Sequence, residues 1–387
     1  MLVKIDVADL KVGMYLVEII KPEGKFKLLK SGLIKNNKTI TALKNKGVEL
    51  ISVDTDRAEL AVIKRPTTKA KQRFQEQVSK AKAVLEESKK IQKKLFQDAE
   101  NGSPLDLSPV NRITDESIEL IFKNPDALSC VLNLRNKDEY LLEHSVAVSV
   151  LMTIFAFHLK IDKKIVRKLA VGAFLHDVGK IKIPDIILNK PDKLTVKEFD
   201  VMKTHASHSI NIIKNTQGID PLSLEVAALH HEQVSGNGYP NGVKGNDITQ
   251  YGRMIAICDI FDALTSTRCY KKGMSQVKAF GILRNLAITV HLDPLLVDQF
   301  IKCMGVYPVG SIVQLESNQL AIVESHNKQT PIHPNVTAFY HLDQKGFQLE
   351  ERIDLSKNSA EQIVKCVRAD DFDLDMAQII EYLADQG

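Results

Sequence analysis

A chain of 387 residues, 44% hydrophobic and 26% charged, has the composition of an ordinary soluble protein and is long enough for two or three domains. Its formal net charge of +4 is too small to demand a nucleic-acid polymer as partner, and no stretch approaches the ~18 uninterrupted apolar residues of a membrane helix. The five cysteines (Cys130, Cys258, Cys269, Cys303, Cys366) are odd in number and form no CxxC pair, so they read as reduced thiols, and the start "MLVKIDVADLKVGMYLVEII" lacks the order of a signal peptide; the expected location is the cytoplasm.

Residues 1–65 read as a small α/β domain of unassigned role. "GMYLVEII" has strand composition, "NKTITALKNKG" is a short helix closed by Gly47, and "VELISVD" is a second strand. Residues 66–105 form a linker helix, expected to be solvated: 67–98 hold no Gly or Pro and mix Lys, Glu, Gln and Ala. Phe74, Val78, Ala81, Val84 and Leu85 recur at three- and four-residue steps, a stripe suited to a partner helix or to a second subunit in a homodimer. "ENGSP" punctuates the chain at 100–104. From 106 to 305 the pattern is helical, with apolar runs such as "AVSVLMTIFAFHL" and "VRKLAVGAFL" between short connections, as in a compact bundle. Pro308 and Gly310 close it. Residues 306–387 are a β-rich extension, with "SIVQLESNQLAIVE" folding about a Ser-Asn turn, "VTAFYHL" as a further strand, and a terminal helix over "MAQIIEYLA". The expected fold class is mainly α: an all-helical bundle with a small N-terminal α/β domain and a short C-terminal β-rich extension.

The bundle carries an unusual set of polar residues in apolar surroundings. His144, His176, His205, His230 and His231, with Asp177 and Asp259, sit in or beside "EHSVAVSVLM", "AVGAFLHDVGK", "LEVAALHHE" and "RMIAICDIFDAL". An ionised aspartate among buried helix faces is costly unless it is paired or ligates a metal. A lone histidine on an apolar face is usually a hydrogen-bonded core residue, and His158, His326, His333 and His341 take that reading; His208 is placed beside the site or at the surface. The full set resists that account, because His-Asp and His-His-Glu recur on separate helices. Five imidazoles and two carboxylates would make a mixed N/O site suited to Fe, Mn, Zn or Ni. In "HHEQVSGNGYPNG" the glycines would let backbone pass close to a bulky ligand, Pro240 would stiffen the loop, and Tyr239 offers a ring and a hydroxyl.

The ordered motifs "EHSVAVS", "HDVGKIKIP", "MKTHASHS", "HHE...GNGYPNG" and "RMIAICDIFDALTSTRCYK" resemble the HD-GYP family, bacterial metal-dependent phosphodiesterases that hydrolyse the second messenger cyclic di-GMP. The resemblance covers roughly residues 125–305, and the N-terminal segment resembles a small domain that commonly precedes HD-GYP domains. It implies an HD-type bundle in which His144, His176, Asp177, His205, His230, His231 and Asp259 are metal ligands, Asp177 bridging two divalent ions, with Fe or Mn favoured and Ni or Zn open. It makes Gly238, Tyr239 and Pro240 the signature loop, Arg268 and Lys271 the basic pair that meets substrate, and Lys180 a lysine at the metal site. Two positions depart from the pattern. Tyr140 stands where members with a third metal carry a glutamate, with Glu139 and Glu143 pointing elsewhere on the helix, which favours two ions. Ser209 replaces a usual glycine, which bears on local packing more than on chemistry. Asp262 is expected to orient a ligand or a basic side chain, and Asp293 to cap a helix without a catalytic role.

Such a site suits phosphodiester cleavage. Two cations ~3.5–4 Å apart need a bridging carboxylate, a hydroxide held between them is a nucleophile at neutral pH, and their charge neutralises that developing on phosphate. Lys180, one turn beyond Asp177, could donate to a phosphate oxygen or to the attacking water, or could be a solvated helix-end cation. Arg268 and Lys271 share a face if their helix continues, and suit the phosphates and guanines of a dinucleotide. The expected activity is hydrolysis of cyclic di-GMP to linear pGpG or on to GMP. The competing readings are a signalling module that binds the dinucleotide or a partner protein with little turnover, and another HD-type phosphohydrolase acting on nucleoside phosphates.

Overall fold

Alternating burial along short apolar runs builds the N-terminal sheet. Strands β1 (Leu2–Asp6), β2 (Tyr15–Lys21), β3 (Gly32–Leu33) and β4 (Leu50–Asp54) pair antiparallel in the order β1-β4-β2-β3. Helix α1 (Asn37–Asn45) ends at Gly47, whose φ of +74° is the left-handed geometry a helix stop favours, with the Val48 amide donating to Leu43 O. Leu16, Ile34, Ile40, Ile51 and Val53 fill this small core. The strands around "YLVEII" and "LISVD" and the short helix stand where the sequence puts them; β1 and β3 are additional.

The computed structural model describes residues 2–10, 14–21, 31–34, 37–54, 68–123, 140–266, 273–289, 291–325, 327, 330, 332–344, 346–358, 361–372, 374 and 379. It divides into two compact units, Gln77–Pro308 and a second made of Met1–Glu76 with Val309–Gly387. In the second unit, β5 (Ile312–Leu315), β6 (Gln319–Ser325), β7 (Asn335–His341), β8 (Gly346–Asp354) and β9 (Ile363–Val367) form an antiparallel sheet ordered β8-β7-β6-β5-β9. The β5–β6 turn passes through Asn318 at φ +60°, a conformation asparagine tolerates. The terminal helix expected over residues 376–384 lies outside the described residues except for Ile379.

The bundle comprises α2 (Thr68–Glu100), α3 (Leu107–Lys123), α4 (Tyr140–His158), α5 (Lys163–Leu175), α6 (Asp185–Leu188), α7 (Val196–Lys214), α8 (Pro221–Leu229), α9 (Gln250–Thr265), α10 (Gln276–Ile288) and α11 (Pro294–Met304). Its middle is α4, apolar on every side and buried at every residue from Glu143 to Ala156. Helix starts are fixed by the residue types that cap helices: Asp162, Thr195 with Glu198 in a capping box, Asp220 before Pro221, Thr249, and Asp293 before Pro294. Asp293 therefore caps α11 as expected, and it also accepts from Arg253 at 2.7 Å. α5 and α8 pack closely enough that a Cβ on Gly172 would lie 2.5 Å from Ser223 O.

One expectation is overturned. The helix read as a solvated linker is part of the bundle core from Ala81 onward: Ala81, Val84, Leu85, Leu95, Phe96 and Ala99 are all buried there. The three stripe residues Ala81, Val84 and Leu85 are thus taken up within the chain, while the side chains of Phe74 and Val78 lie outside the described residues. The buried face also carries Ser88, Lys89 and Gln92, polar residues that broke the apolar period in the sequence. Ser88 donates to Val84 O at 2.7 Å, and Lys89 reaches Glu143 at 3.3 Å and Glu86 at 2.8 Å. Phe96→Ala is expected to lower the unfolding free energy by about 3–5 kcal/mol, measured by denaturant titration. A change within ±0.5 kcal/mol, as for a solvated surface position, would return α2 to the status of a linker.

Candidate metal centre

Two helix ends create the site. α5 stops at Leu175, His176 is its C-cap, and Asp177 (φ −103°, ψ 6°) opens a tight 3-10 turn over Val178–Lys182. α8 stops at Leu229, with His230 as C-cap and His231 following in the turn. Within a regular helix, neighbours point about 100° apart; where the helix breaks, consecutive side chains can aim at one centre. His144 enters from α4, His205 from α7, and Asp259 with Asp262 from α9. His144, His176, Asp177, His205, His230 and Asp259 are buried, and His231 is partly open.

The side chains converge on the Asp177 carboxylate, and its two oxygens divide them. Oδ2 lies 3.3 Å from His176 Nε2 and 3.4 Å from His144 Nε2; Oδ1 lies 3.3 Å from His205 Nε2 and 3.9 Å from His230 Nε2. Ligand-type atoms of His144, His176 and Asp259 fall within 4.8 Å of one another, as do those of His205, His230 and His231, and those of His176, Asp177 and His230. His144 Nε2 is 3.0 Å from Asp259 Oδ1, and His231 Nδ1 is 3.5 Å from Asp259 Oδ2. Lys180 Nζ lies 2.5 Å from Asp177 Oδ2.

Three imidazoles are oriented by the same device. His176, His205 and His230 each place Nδ1 2.6–2.7 Å from the carbonyl oxygen three residues earlier, in Ala173, Met202 and Ala227. A carbonyl only accepts, so Nδ1 carries the proton and Nε2 turns a lone pair to the centre. The consequence is an arrangement that is unfavourable as it stands: His205 Nε2 and His230 Nε2 face each other at 3.4 Å, and the buried His176 Nε2 and Asp177 Oδ1 make no hydrogen bond. Inward lone pairs with no donor between them are what a divalent cation satisfies, so the residues fit a metal centre.

The electrostatics agree. Burial pushes the Asp177 carboxyl up, but the Lys180 ammonium and the His176 imidazole override it and hold it well below the usual carboxylate range. Asp259 behaves alike: burial pushes it up, and its hydrogen bond from His144 outweighs that and holds it well below the usual carboxylate range. Burial, then the neighbouring His231, keep His230 neutral; burial brings His231 down to about 3. His144 goes the other way. Burial opposes its charge, yet the hydrogen bonds to Asp259 and Asp262 raise it to about 9. Asp262, fully buried, sits 2.7 Å from His144 Nδ1 and so orients that ring, as the sequence suggested.

The signature loop closes over His231. A Cβ on Gly238 would lie 2.4 Å from Gln233 N and 2.5 Å from Glu232 Cα, so only glycine lets the loop fold back here. Tyr239 follows in a cis peptide with Pro240, and its ring centroid is 4.5 Å from that of His231. Burial, with Asp259 and Asp177 nearby, raises its phenol above the ordinary value, leaving a neutral hydroxyl. Ser209 does not disturb packing. It is fully buried, and its hydroxyl accepts the Gly179 amide at 2.8 Å, tying the turn after Asp177 to α7. Glu143 ion-pairs with Lys89. Arg268, Lys271 and Glu139 lie outside the described residues, as does the side chain of Tyr140. His208 belongs to none of the ligand groups among the described residues. His158, read as a core residue, is exposed at the end of α4 against Gln299, because the helix runs out of the bundle there. Glu232, quoted with the histidine pair but given no role, proves to be buried.

Two family models match the chain: "HD domain" over residues 129–296 and "Domain of unknown function (DUF3391)" over residues 2–110. A relative from Pseudomonas aeruginosa, "Cyclic di-GMP phosphodiesterase PA4108", is 31% identical over 92% of this chain and 90% of its own length. A protein from Vibrio cholerae, "3'3'-cGAMP-specific phosphodiesterase 2", is 46% identical over 25% of this chain and 19% of its own length. Among solved structures, Bd1817, an HDG"Y"P protein from Bdellovibrio bacteriovorus, matches with a TM-score of 0.50 at 20% identity, over 78% of this chain and 99% of that one, a likeness of fold.

Two outcomes are expected. Asp262→Ala should weaken divalent-metal affinity roughly 10–100-fold in equilibrium dialysis with every ligand residue intact; unchanged affinity would remove Asp262 as an orienting group. Because His144 holds a proton up to about 9, that proton competes with a cation. Apparent metal affinity should therefore fall as pH drops below about 9, by roughly tenfold per unit for one displaced proton, measured by titration calorimetry. A pH-independent affinity would count against His144 as a ligand.

Proposed function

Since the chain belongs to the HD-GYP family, we propose that it is a metal-dependent phosphodiesterase that hydrolyses cyclic di-GMP by attack of water on phosphorus. The observation that carries this reading is the sharing of the buried Asp177 carboxylate between two pairs of inward-facing imidazoles. In that arrangement His144, His176 and Asp259 would hold one divalent cation and His205, His230 and His231 another, with Asp177 shared between the two sets. When bound, such ions supply Lewis-acid stabilisation of charge on the phosphate oxygens and lower the pKa of water. Fe and Mn are the favoured occupants, as the resemblance to the HD-GYP family implies; the mixed nitrogen and oxygen donor set itself also admits Zn and Ni.

The chain's own residues do the rest. Asp177 holds the two ligand sets in register. Lys180, its ammonium beside Asp177, would donate to a phosphate oxygen. Tyr239, neutral and tilted against the His231 ring, offers a hydroxyl and a flat face at the rim, and Gly238 gives the loop its close approach. Arg268 and Lys271 are the proposed contacts to the distal phosphate and guanine, through the arginine fork and the lysine point charge. Hydrolysis breaks one P–O3′ bond, and water contributes hydroxyl to phosphorus and a proton to the leaving oxygen. The first product is linear pGpG; a second cut yields GMP. The proposed place of action is the cytoplasm; among the described residues Cys258, Cys303 and Cys366 form no disulfide, and no helix is long and apolar enough to cross a membrane.

The test is product analysis on Mn- or Fe-loaded protein with cyclic di-GMP, the mixed cyclic GMP–AMP and nucleoside triphosphates. Cyclic di-GMP is expected to be cleaved fastest, and Asp177→Ala to lose bound metal and at least a thousandfold of turnover together. Faster cleavage of the mixed dinucleotide would reassign the substrate, and metal-loaded protein that binds cyclic di-GMP without cleaving it would make this a binding module.

A further inference from the structure

Glu232 is a buried acid whose work the ligand set does not explain. It stands between the candidate ligand His231 and the loop, is 3% exposed, and belongs to none of the ligand groups. Its two oxygens are spent on the loop's backbone: Oε1 accepts the Asn241 amide at 2.8 Å, and Oε2 accepts the Val243 amide at 3.0 Å. Those amides flank Gly242, which turns the chain at φ +65°. One carboxylate thus closes a segment of nine to eleven residues onto its own starting point. Inside the closure lie Gly238, Tyr239 and Pro240, with the Tyr239 amide donating to His231 O at 3.2 Å and the Gly245 amide to Val234 O at 2.9 Å.

We propose that Glu232 is a positioning residue: a carboxylate clamp that sets the Tyr239 loop against His231 and so fixes the substrate-facing rim without itself holding metal. This rests on the function proposed above. The geometry demands a carboxylate in particular. Two N–H donors converge on Glu232, and each is met by its own carboxylate oxygen. In Glu232→Gln one oxygen becomes an NH2 group facing a backbone N–H, so one bond is kept and a donor–donor clash replaces the other. In Glu232→Ala both amides lose their acceptor. Asn241 and Val243 donate through the main chain, so substitution of their side chains leaves the clamp in place. Released from it, the loop can still follow His231, but Tyr239 no longer has one position. The cost then falls on substrate binding more than on the chemical step or on the ions.

The experiment measures three quantities on the full-length Mn-loaded protein for wild type, Glu232→Gln and Glu232→Ala: metal content, steady-state kinetics with cyclic di-GMP, and amide exchange at 239–243. Expected are wild-type metal content, a KM raised about tenfold or more in Glu232→Ala and by less in Glu232→Gln, and kcat within threefold of wild type. Exchange at the Asn241 and Val243 amides should quicken at least tenfold while α9 keeps its protection. Unchanged KM and unchanged exchange in a folded variant would overturn the clamp, and so would metal loss that tracks the loss of activity. If Glu232→Ala does not fold, Glu232→Gln decides by the same readouts. A wild-type protein inert toward cyclic di-GMP would defeat the proposed function, while the exchange measurement would still judge the clamp.

Discussion

The structure depends on a carboxylate placed where carboxylates are costly. Asp177 is 1% exposed, at the meeting point of four helices, and its charge survives only because its surroundings are built to want it. Lys180 supplies one compensating charge, but His176, His205 and His230 turn lone pairs inward, so the cluster gathers acceptors instead of balancing them. A cation resolves this directly. Nothing in ordinary core packing does: a structural histidine would turn a donor toward the acid, and three of these five cannot, since their Nδ1 protons are committed to carbonyls three residues back.

That commitment explains where the ligands sit on their helices. A carbonyl three residues earlier is free to accept a side-chain donor near a helix end or where the helical ladder leaves a lone pair, and His176 and His230 both occupy C-cap positions. The same helix ends free the following residues, Asp177 and His231, to turn inward. His144, in the second turn of α4, is oriented instead by the Asp262 carboxylate, one turn along α9 from Asp259. The Asp259 carboxylate, and then Asp262, make the His144 ring more basic, whereas burial lowers His230 and His231.

The convergence of the candidate ligands was legible because metal ligation draws on few residue types, and His176 with Asp177 and His230 with His231 stand as adjacent pairs beside apolar runs. The bundle and strands β5, β6 and β7 of the extension followed from apolar periodicity and turn residues; β8 and β9 did not. What escaped was of two kinds. Helix α2 looked solvated because Lys89, Ser88 and Gln92 sit on its inner face, and a charge count cannot tell a lysine that finds Glu143 inside from one that faces water. Glu232 and Ser209 act through bonds to backbone amides, at Asn241, Val243 and Gly179. Such amides carry no residue identity, so no spacing rule announces them; only a buried acid beside a glycine-rich loop hints at the first.

The same centre ties metal to the stability of the bundle. Its ligands come from α4, α5, α7, α8 and α9 and the turns that follow α5 and α8, so no fragment short of the assembled helices presents them together. An unfolded chain offers isolated histidines and aspartates with far weaker affinity, and a ligand that binds the folded state alone stabilises it by about 4 kcal/mol at a thousandfold excess over Kd. The buried acceptors that disfavour the metal-free state thereby become the source of stability once ions bind. Selection for a core that folds and selection for a centre that binds metal act here on the same residues, which is why a site this polar can occupy the middle of the bundle instead of its surface.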